Sequence, residues 1–329
     1  MQPHPIDDPM MLAPPPRLDE DALAEVLARH WGLRGRLAPL GGERDRNFRL
    51  EREDAPPLLV KLAHPDEDPA ITDFQTAALL HLEAADPGLP VPRMLRDREG
   101  GTTRPHPTLE GRSALLRVLT YLPGRPTTDP LRAAPALGAL AARLDRAFAG
   151  FRHPAEQRRL LWDLREAPGL RPLLAEISDP ALRRVTEAAL DRFERLPPLH
   201  GLPAQAIHND LNPHNVVVDE AGQPCGIIDF GDVVRAPLLQ EVATTSAYLL
   251  LPGTDPLLAV RTFVAAYRAV QPLPEELVAQ LPVLIATRMV LTVLITHWRA
   301  RLQPENAAYI LRNAPGARAG LETLMNQQG

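Results

Sequence analysis

The hydrophobic positions change period several times along the chain, and each change marks an element. Leu23, Val26 and Leu27, behind Asp19 as a cap, follow the three-and-four spacing of one helix face and predict a helix over residues 18–31. From residue 37 the period shortens. Phe48 and Leu50 flank Arg49, and with Leu37 and Leu40 they predict two strands joined at Gly41-Gly42. A third apolar strand runs over 57–62. Helical spacing returns at Phe74, Ala78 and Leu82, which predicts a helix over 71–83. A hairpin around Gly100 and Gly101 and a strand over 114–122 close this part of the chain.

After Pro123-Gly124 the pattern is mainly helical. Leu137, Leu140, Ala141 and Leu144 share one stripe of a helix over 131–148, and residues 161–195 hold one or two more. A helix opens at Pro237. Three further segments, 256–270, 274–301 and 304–313, each begin with proline, whose fixed φ suits an early helix position. These changes predict an α+β chain with a sheet-plus-helix domain at 18–122 and a larger, mainly helical domain at 123–329. Residues 1–17, rich in Pro and Met and without period, read as a disordered tail.

One short hairpin interrupts the helical part. Val216–Val218 and Ile227-Ile228 are apolar strands around a turn at Gly222; a polar loop with His208, Asp210 and Asn215 precedes them, and Asp229 follows. A hairpin brings its ends together, so Asp210, Asn215 and Asp229 converge. Two carboxylates and a carboxamide suit a hard cation such as Mg²⁺, which takes oxygen ligands and keeps some of its waters. A carboxylate left over can accept a proton from a hydroxyl.

Composition narrows the choice. Net charge is −5 over 329 residues, and no basic stripe with interleaved aromatics is present, which argues against nucleic acid as a partner. The single cysteine, Cys225, cannot form an intramolecular disulfide and reads as a buried, inert thiol. No apolar run reaches membrane-spanning length by inspection, and the start lacks a basic-then-apolar leader; a cytoplasmic protein without a membrane partner is expected. Lys61 is the only lysine; every other long basic side chain is Arg. That singles out a strand position where a compact ammonium is wanted. The Arg158-Arg159 and Arg183-Arg184 pairs read as solvated faces.

The run Ile207-His208-Asn209-Asp210-Leu211-Asn212-Pro213-His214-Asn215, with Asp229-Phe230-Gly231-Asp232 after it, resembles the "H-G-D-x-x-x-x-N" loop and metal-binding triplet of the aminoglycoside phosphotransferase and choline kinase family. Asn209 stands where the family has Gly. Within the family the hydroxylysine-kinase-like branch is the most similar, and the resemblance runs from about residue 36 to residue 313. It implies a two-lobed, protein-kinase-like fold with a nucleotide between the lobes: a small lobe of antiparallel sheet plus helix, and a larger helical lobe.

The resemblance also implies roles. Asp210 and His208 are catalytic; Asn215 and Asp229 hold Mg²⁺. Lys61 steadies the phosphates of ATP or GTP under a turn comprising Gly41, Gly42, Arg46 and Asn47, and Leu119, Thr120 and Leu122 meet the base. The family's helix glutamate that pairs with the lysine is replaced here by Gln75, leaving Gln75, Asp73 or Glu83 as its partner. Glu241 supports the catalytic loop. Asp232, Arg288, Trp298 and Arg299 are candidates for the acceptor, with Asp232 suited to an ammonium and the arginines to a carboxylate. The implied reaction moves a γ-phosphoryl group to a hydroxyl of a small amine or amino acid, 5-hydroxylysine foremost. Homoserine, choline or ethanolamine, a sugar or an aminoglycoside remain open as acceptors, and a nucleotide-binding pseudokinase or a protein kinase as other classes.

Overall fold

Asp19 accepts hydrogen bonds from the N–H groups of Asp21 (3.0 Å) and Ala22 (3.1 Å), and so starts α1 (Glu20–His30), which buries Leu23 and Leu27 one turn apart. The computed structural model describes residues 13–42 and 44–326. The chain divides into two compact units: one takes in the described chain up to Pro123 together with His153–Ala155, the other Gly124–Arg152 and the chain from Glu156 onward.

In the first unit, α1 is followed by β1 (Arg36–Leu40), β2 (Arg46–Arg52), β3 (Ala55–Leu62), α2 (Pro69–Ala85), β4 (Arg104–Pro107) and β5 (Ser113–Thr120). The strands form one antiparallel sheet in the order β1-β2-β3-β5-β4. Strand alternation sends Phe48, Leu50, Leu58, Val60, Leu62, Ala114, Leu116 and Val118 to one face, where they bury Leu23 and Leu27 of α1. The other face carries Asn47, Lys61 and Arg117 side by side, because the register pairs Asn47 with Lys61 and Lys61 with Arg117.

Two expectations shift here. The turn near Gly100 is not the tip of a two-stranded hairpin. It closes on the Asp97 carboxylate, which accepts from Glu99 N–H (2.9 Å) and Gly101 N–H (2.8 Å), and the strand begins later, at Arg104. Most of the expected tail lies outside the described residues; at its end, Arg17 accepts a backbone bond from Leu109 (2.9 Å) and pairs with Glu110.

The second unit runs β6 (Arg125–Pro126), α3 (Pro130–Ala147), a 3₁₀ stretch Leu164–Glu176, α4 (Pro180–Glu194), β7 (Ala204–Ile207), β8 (Val216–Val218), β9 (Pro224–Ile227), β10 (Val234–Pro237), α5 (Leu238–Ser246), α6 (Leu258–Val270), α7 (Glu275–Val278), α8 (Leu281–Leu302), α9 (Ala307–Ile310) and α10 (Ala314–Asn326). Asp129-Pro130 and Asp179-Pro180 open α3 and α4, with aspartate as cap and proline where an N–H would have no partner. Pro168 and Pro172 lack the N–H groups an α-helix needs, so 164–176 stays 3₁₀. The expected helix over 274–301 is two, since Pro282 sits in the first turn of α8.

α8 corrects the reading of membrane-length segments. With α7 it makes up Glu275–Leu302, the one helical span among the described residues long and apolar enough to cross a membrane, and most of its apolar window is buried inside the protein. It packs against the 3₁₀ stretch, α4, α5 and α10 and is the core of this unit. Cys225, on β9, is only half-buried.

Candidate active site

In the first unit Lys61 points from β3 toward the glycine turn, and its ammonium pairs with Asp45 at 3.1 Å. Asp45 also accepts from the His64 N–H at 3.3 Å. None of the three expected partners holds this position. Gln75 Oε1 instead accepts from Arg117 Nη2 (2.9 Å), Asp73 meets His153 (3.0 Å), and Glu83 is exposed. Arg117 is thus the buried cation that ties α2 to the sheet. Gly42 has a steric reason: a Cβ there would lie 2.5 Å from the Asp45 carbonyl and 2.9 Å from Asn47 Nδ2. Arg46 lies over the Phe48 ring. Of the backbone expected to meet a base, the Thr120 N–H is already given to the Arg93 carbonyl (2.9 Å), and buried Leu119 bridges to Met94. Leu122 lies beyond the end of β5.

In the second unit the hairpin does what its spacing predicts. Val216 pairs with Ile227, and Ile228 N–H donates to the Asn215 carbonyl at 2.9 Å, which fixes the loop against the segment carrying Asp229. His208, expected to be catalytic, is bonded to backbone on both ring nitrogens. Its Nδ1 accepts from Asp210 N–H (3.2 Å), so Nε2 carries the proton given to the Ile228 carbonyl (3.0 Å). Full burial holds its pKa below the ordinary value, and Phe230 packs edge-on against the ring at 4.8 Å. Asn209 adopts φ +66°, a left-handed conformation that Asn tolerates better than most residues, which is how it stands where the family has Gly. Its N–H donates to Glu241 Oε2 (2.9 Å) and its Oδ1 accepts from Gln240 (2.9 Å).

Asp210 accepts from three side chains. Oδ2 accepts from Asn212 Nδ2 (2.8 Å) and Asn215 Nδ2 (2.7 Å), and Oδ1 accepts from Arg288 Nη2 (2.8 Å). Burial pushes its carboxyl up to about 7; Arg288 opposes the rise, and the negative charges of Asp232 and Asp229 add to it. Asp229 takes φ +59° and accepts from Gly231 N–H (3.2 Å), while the Arg158 guanidinium, expected on a solvated face, donates to the Gly231 carbonyl.

The donor set fits a hard divalent cation. The charges of Asp229 and Asp232 act on Asp210, with Arg288 as the cation opposing them there. Asn215, its Nδ2 committed to Asp210, has its amide oxygen as the remaining donor. Among the described residues no three His, Cys, Asp or Glu side chains form a ready-made cage, so such a cation would keep ligands from water or substrate, as Mg²⁺ does.

Residues 36–277 match the phosphotransferase enzyme family. The chain belongs to that family. Hydroxylysine kinase of Mus musculus is 27% identical over 308 residues, spanning 85% of this chain and 81% of its own. Among solved structures, a microcompartment-associated aminopropanol kinase superposes with a TM-score of 0.75 at 20% identity, covering 94% of this chain and 99% of its own. An amicoumacin kinase solved with AMP-PNP, Ca²⁺ and Ami has a TM-score of 0.68 at 18% identity, over 92% and 94%. The kinase-like α+β fold and an alcohol-accepting phosphotransferase activity on a small molecule follow for this family member.

Within this phosphotransferase, Asp210, Asn215, Asp229, Asp232 and Arg288 come together, and Trp298 and Arg299 do not join them. They lie ten and eleven residues beyond Arg288 on α8, about 15 Å at the rise of an α-helix. Both are buried near its C-terminal end. Arg288, expected at an acceptor carboxylate, donates from Nη2 to Asp210. The sequence reading missed Asp45, Arg117, Asn212, Trp162 and Tyr248. Asn212 stood inside the loop, two residues from Asp210; the others carry no local signal, because their partners are distant in sequence.

Proposed function

We propose that this phosphotransferase moves the γ-phosphoryl group of ATP or GTP, presented with Mg²⁺, to the hydroxyl of a small hydroxylated amine, a 5-hydroxylysine-like amino acid foremost. The kinship with hydroxylysine kinase along most of both chains carries this reading, in a chain whose loop has Asp210, Asn215 and Asp229 in their required order. Asp210 accepts the hydroxyl proton as the acceptor oxygen attacks. Asn215 and Asp229 would hold Mg²⁺, which when bound supplies positive charge to the phosphates. Lys61 offers its ammonium to the phosphates, and Gly41 and Gly42 keep their turn free of side chains. The transition state of phosphoryl transfer is loose, so positioning and charge supply most of the acceleration.

A second reading, an amino alcohol without a carboxylate, is favoured by one observation: the Arg288 guanidinium is already engaged by Asp210. An isotope-transfer assay with ATP and GTP against 5-hydroxylysine, homoserine, ethanolamine, choline, a sugar and an aminoglycoside separates the two. The highest kcat/KM is expected for 5-hydroxylysine; ethanolamine ahead of it supports the second reading. Asp210→Ala and Asp229→Ala are each expected to lower kcat by about 10²–10⁴-fold with the far-ultraviolet spectrum unchanged. Near wild-type turnover in either variant removes the assigned role.

A further inference from the structure

Arg288 is 2% exposed, yet its charge is not neutralised at the surface or by a carboxylate on its own helix. It reaches from the middle of α8 to Asp210, 78 residues earlier in the chain, and every contact it makes fixes its plane. Nη2 donates to Asp210 Oδ1 at 2.8 Å and to the Tyr248 hydroxyl at 3.3 Å, and Nη1 donates to the Trp162 carbonyl at 3.2 Å. The guanidinium lies over the Trp162 ring, 4.9 Å from its centroid, with the Tyr248 ring at 6.0 Å. Two aromatic faces and two oxygens other than the carboxylate therefore set where the fork points before Asp210 is considered.

We propose that Arg288, held by Trp162 and Tyr248, is a positioning residue for phosphoryl transfer: it sets the orientation of the Asp210 carboxylate and leaves one lone pair of Oδ1 for the acceptor hydroxyl. A carboxylate has about four lone-pair sites. Oδ2 gives two of its own to the amides of Asn212 and Asn215, and Oδ1 gives one to Arg288. The remaining site on Oδ1 takes the acceptor's O–H proton. As it does so, the acceptor oxygen bonds to the γ-phosphorus, the bond from that phosphorus to the bridging oxygen breaks, and the electron pair leaves on the nucleoside diphosphate. Without the arginine, only contacts to Oδ2 remain, and the carboxylate is free to swing about them.

The inference rests on the reading of Asp210 as the proton acceptor, and its test keeps the two apart. Steady-state kinetics with the best acceptor would compare wild type, Arg288→Gln, Arg288→Lys and Tyr248→Phe, alongside a crystal structure of Arg288→Gln. For Arg288→Gln, kcat is expected to fall at least about 100-fold with the KM of acceptor and nucleotide within about threefold. Arg288→Lys should recover part of the loss, and Tyr248→Phe should cost less than either. In the crystal, the Asp210 carboxylate should leave its wild-type plane. A rise in acceptor KM with kcat intact would make Arg288 an acceptor ligand and overturn the proposal. An unmoved carboxylate in Arg288→Gln would overturn it as well, and would do so even if no acceptor on the panel were phosphorylated. Should Arg288→Gln fail to fold, the kcat of Arg288→Lys decides, an unchanged value counting against the proposal.

Discussion

Glu241 and Asp145 are buried carboxylates beneath the catalytic loop. Glu241 takes the Asn209 N–H, and Asp145 takes the Tyr267 hydroxyl at 2.6 Å. Burial pushes Glu241 up to about 7 from an ordinary value of 4.5; burial and the charge of Glu241 together push Asp145 well above its own. The native state therefore holds protons that the unfolded chain releases. For Glu241 this contribution to stability is complete below about 4.5 and is lost as pH rises through about 7. Tm is expected to fall between pH 6 and pH 8. Glu241→Gln keeps an oxygen for the Asn209 N–H but cannot ionise, so its Tm should vary less over that range. Scanning calorimetry of both proteins checks this, and equal slopes would mean that Glu241 does not titrate there.

At the scale of elements, α3 and α6 approach so closely that one residue has no room for a methyl group. A Cβ on Gly138 of α3 would lie 2.3 Å from the Phe263 carbonyl and 3.0 Å from the Tyr267 nitrogen, both backbone atoms of α6. The same two helices carry Asp145 and Tyr267, so separating them would also stretch that hydrogen bond. Gly138→Ala is expected to cost about 1–3 kcal/mol in urea unfolding. Gly169→Ala, where nothing stands within 4 Å, should stay within about 0.5 kcal/mol. What the sequence made legible and what it hid divide along similar lines. Four strands of the sheet, α1, α2 and the hairpin were readable because alternation, caps and a turn are local, whereas β4, four residues long, was not. The loop from His208 to Asn215 was readable because its chemistry sits at fixed offsets. Gln75, expected at Lys61, stands at Arg117, because strand register, not helix pattern, decides which cation faces α2. Arg288 stood out on an apolar helix, but its partner could not be read from its neighbours. The split of α8 from α7 hung on Pro282 and the addition of α10 on residues beyond the last expected helix.

For the whole molecule, the assigned roles predict how a nucleotide changes stability. A ligand that binds only the native chain stabilises it by RT ln(1 + [L]/Kd), about 2.7 kcal/mol at a hundredfold excess over Kd. In the proposed roles Lys61 would answer to phosphate charge and Asp229 to the cation. Their variants should therefore fail differently. With a non-hydrolysable ATP analogue and Mg²⁺, wild-type Tm is expected to rise, and chelation by EDTA should remove most of the rise. Lys61→Met should show a smaller rise whether Mg²⁺ is present or not. Asp229→Asn should keep the small, metal-free shift and lose the increment that Mg²⁺ adds. Calorimetry of the three proteins with analogue alone, Mg²⁺ alone and both together reads these differences directly. An increment from Mg²⁺ as large in Asp229→Asn as in wild type would take Asp229 out of the metal's ligand set, and the same nucleotide shift in Lys61→Met as in wild type would take the chain's single lysine away from the phosphates.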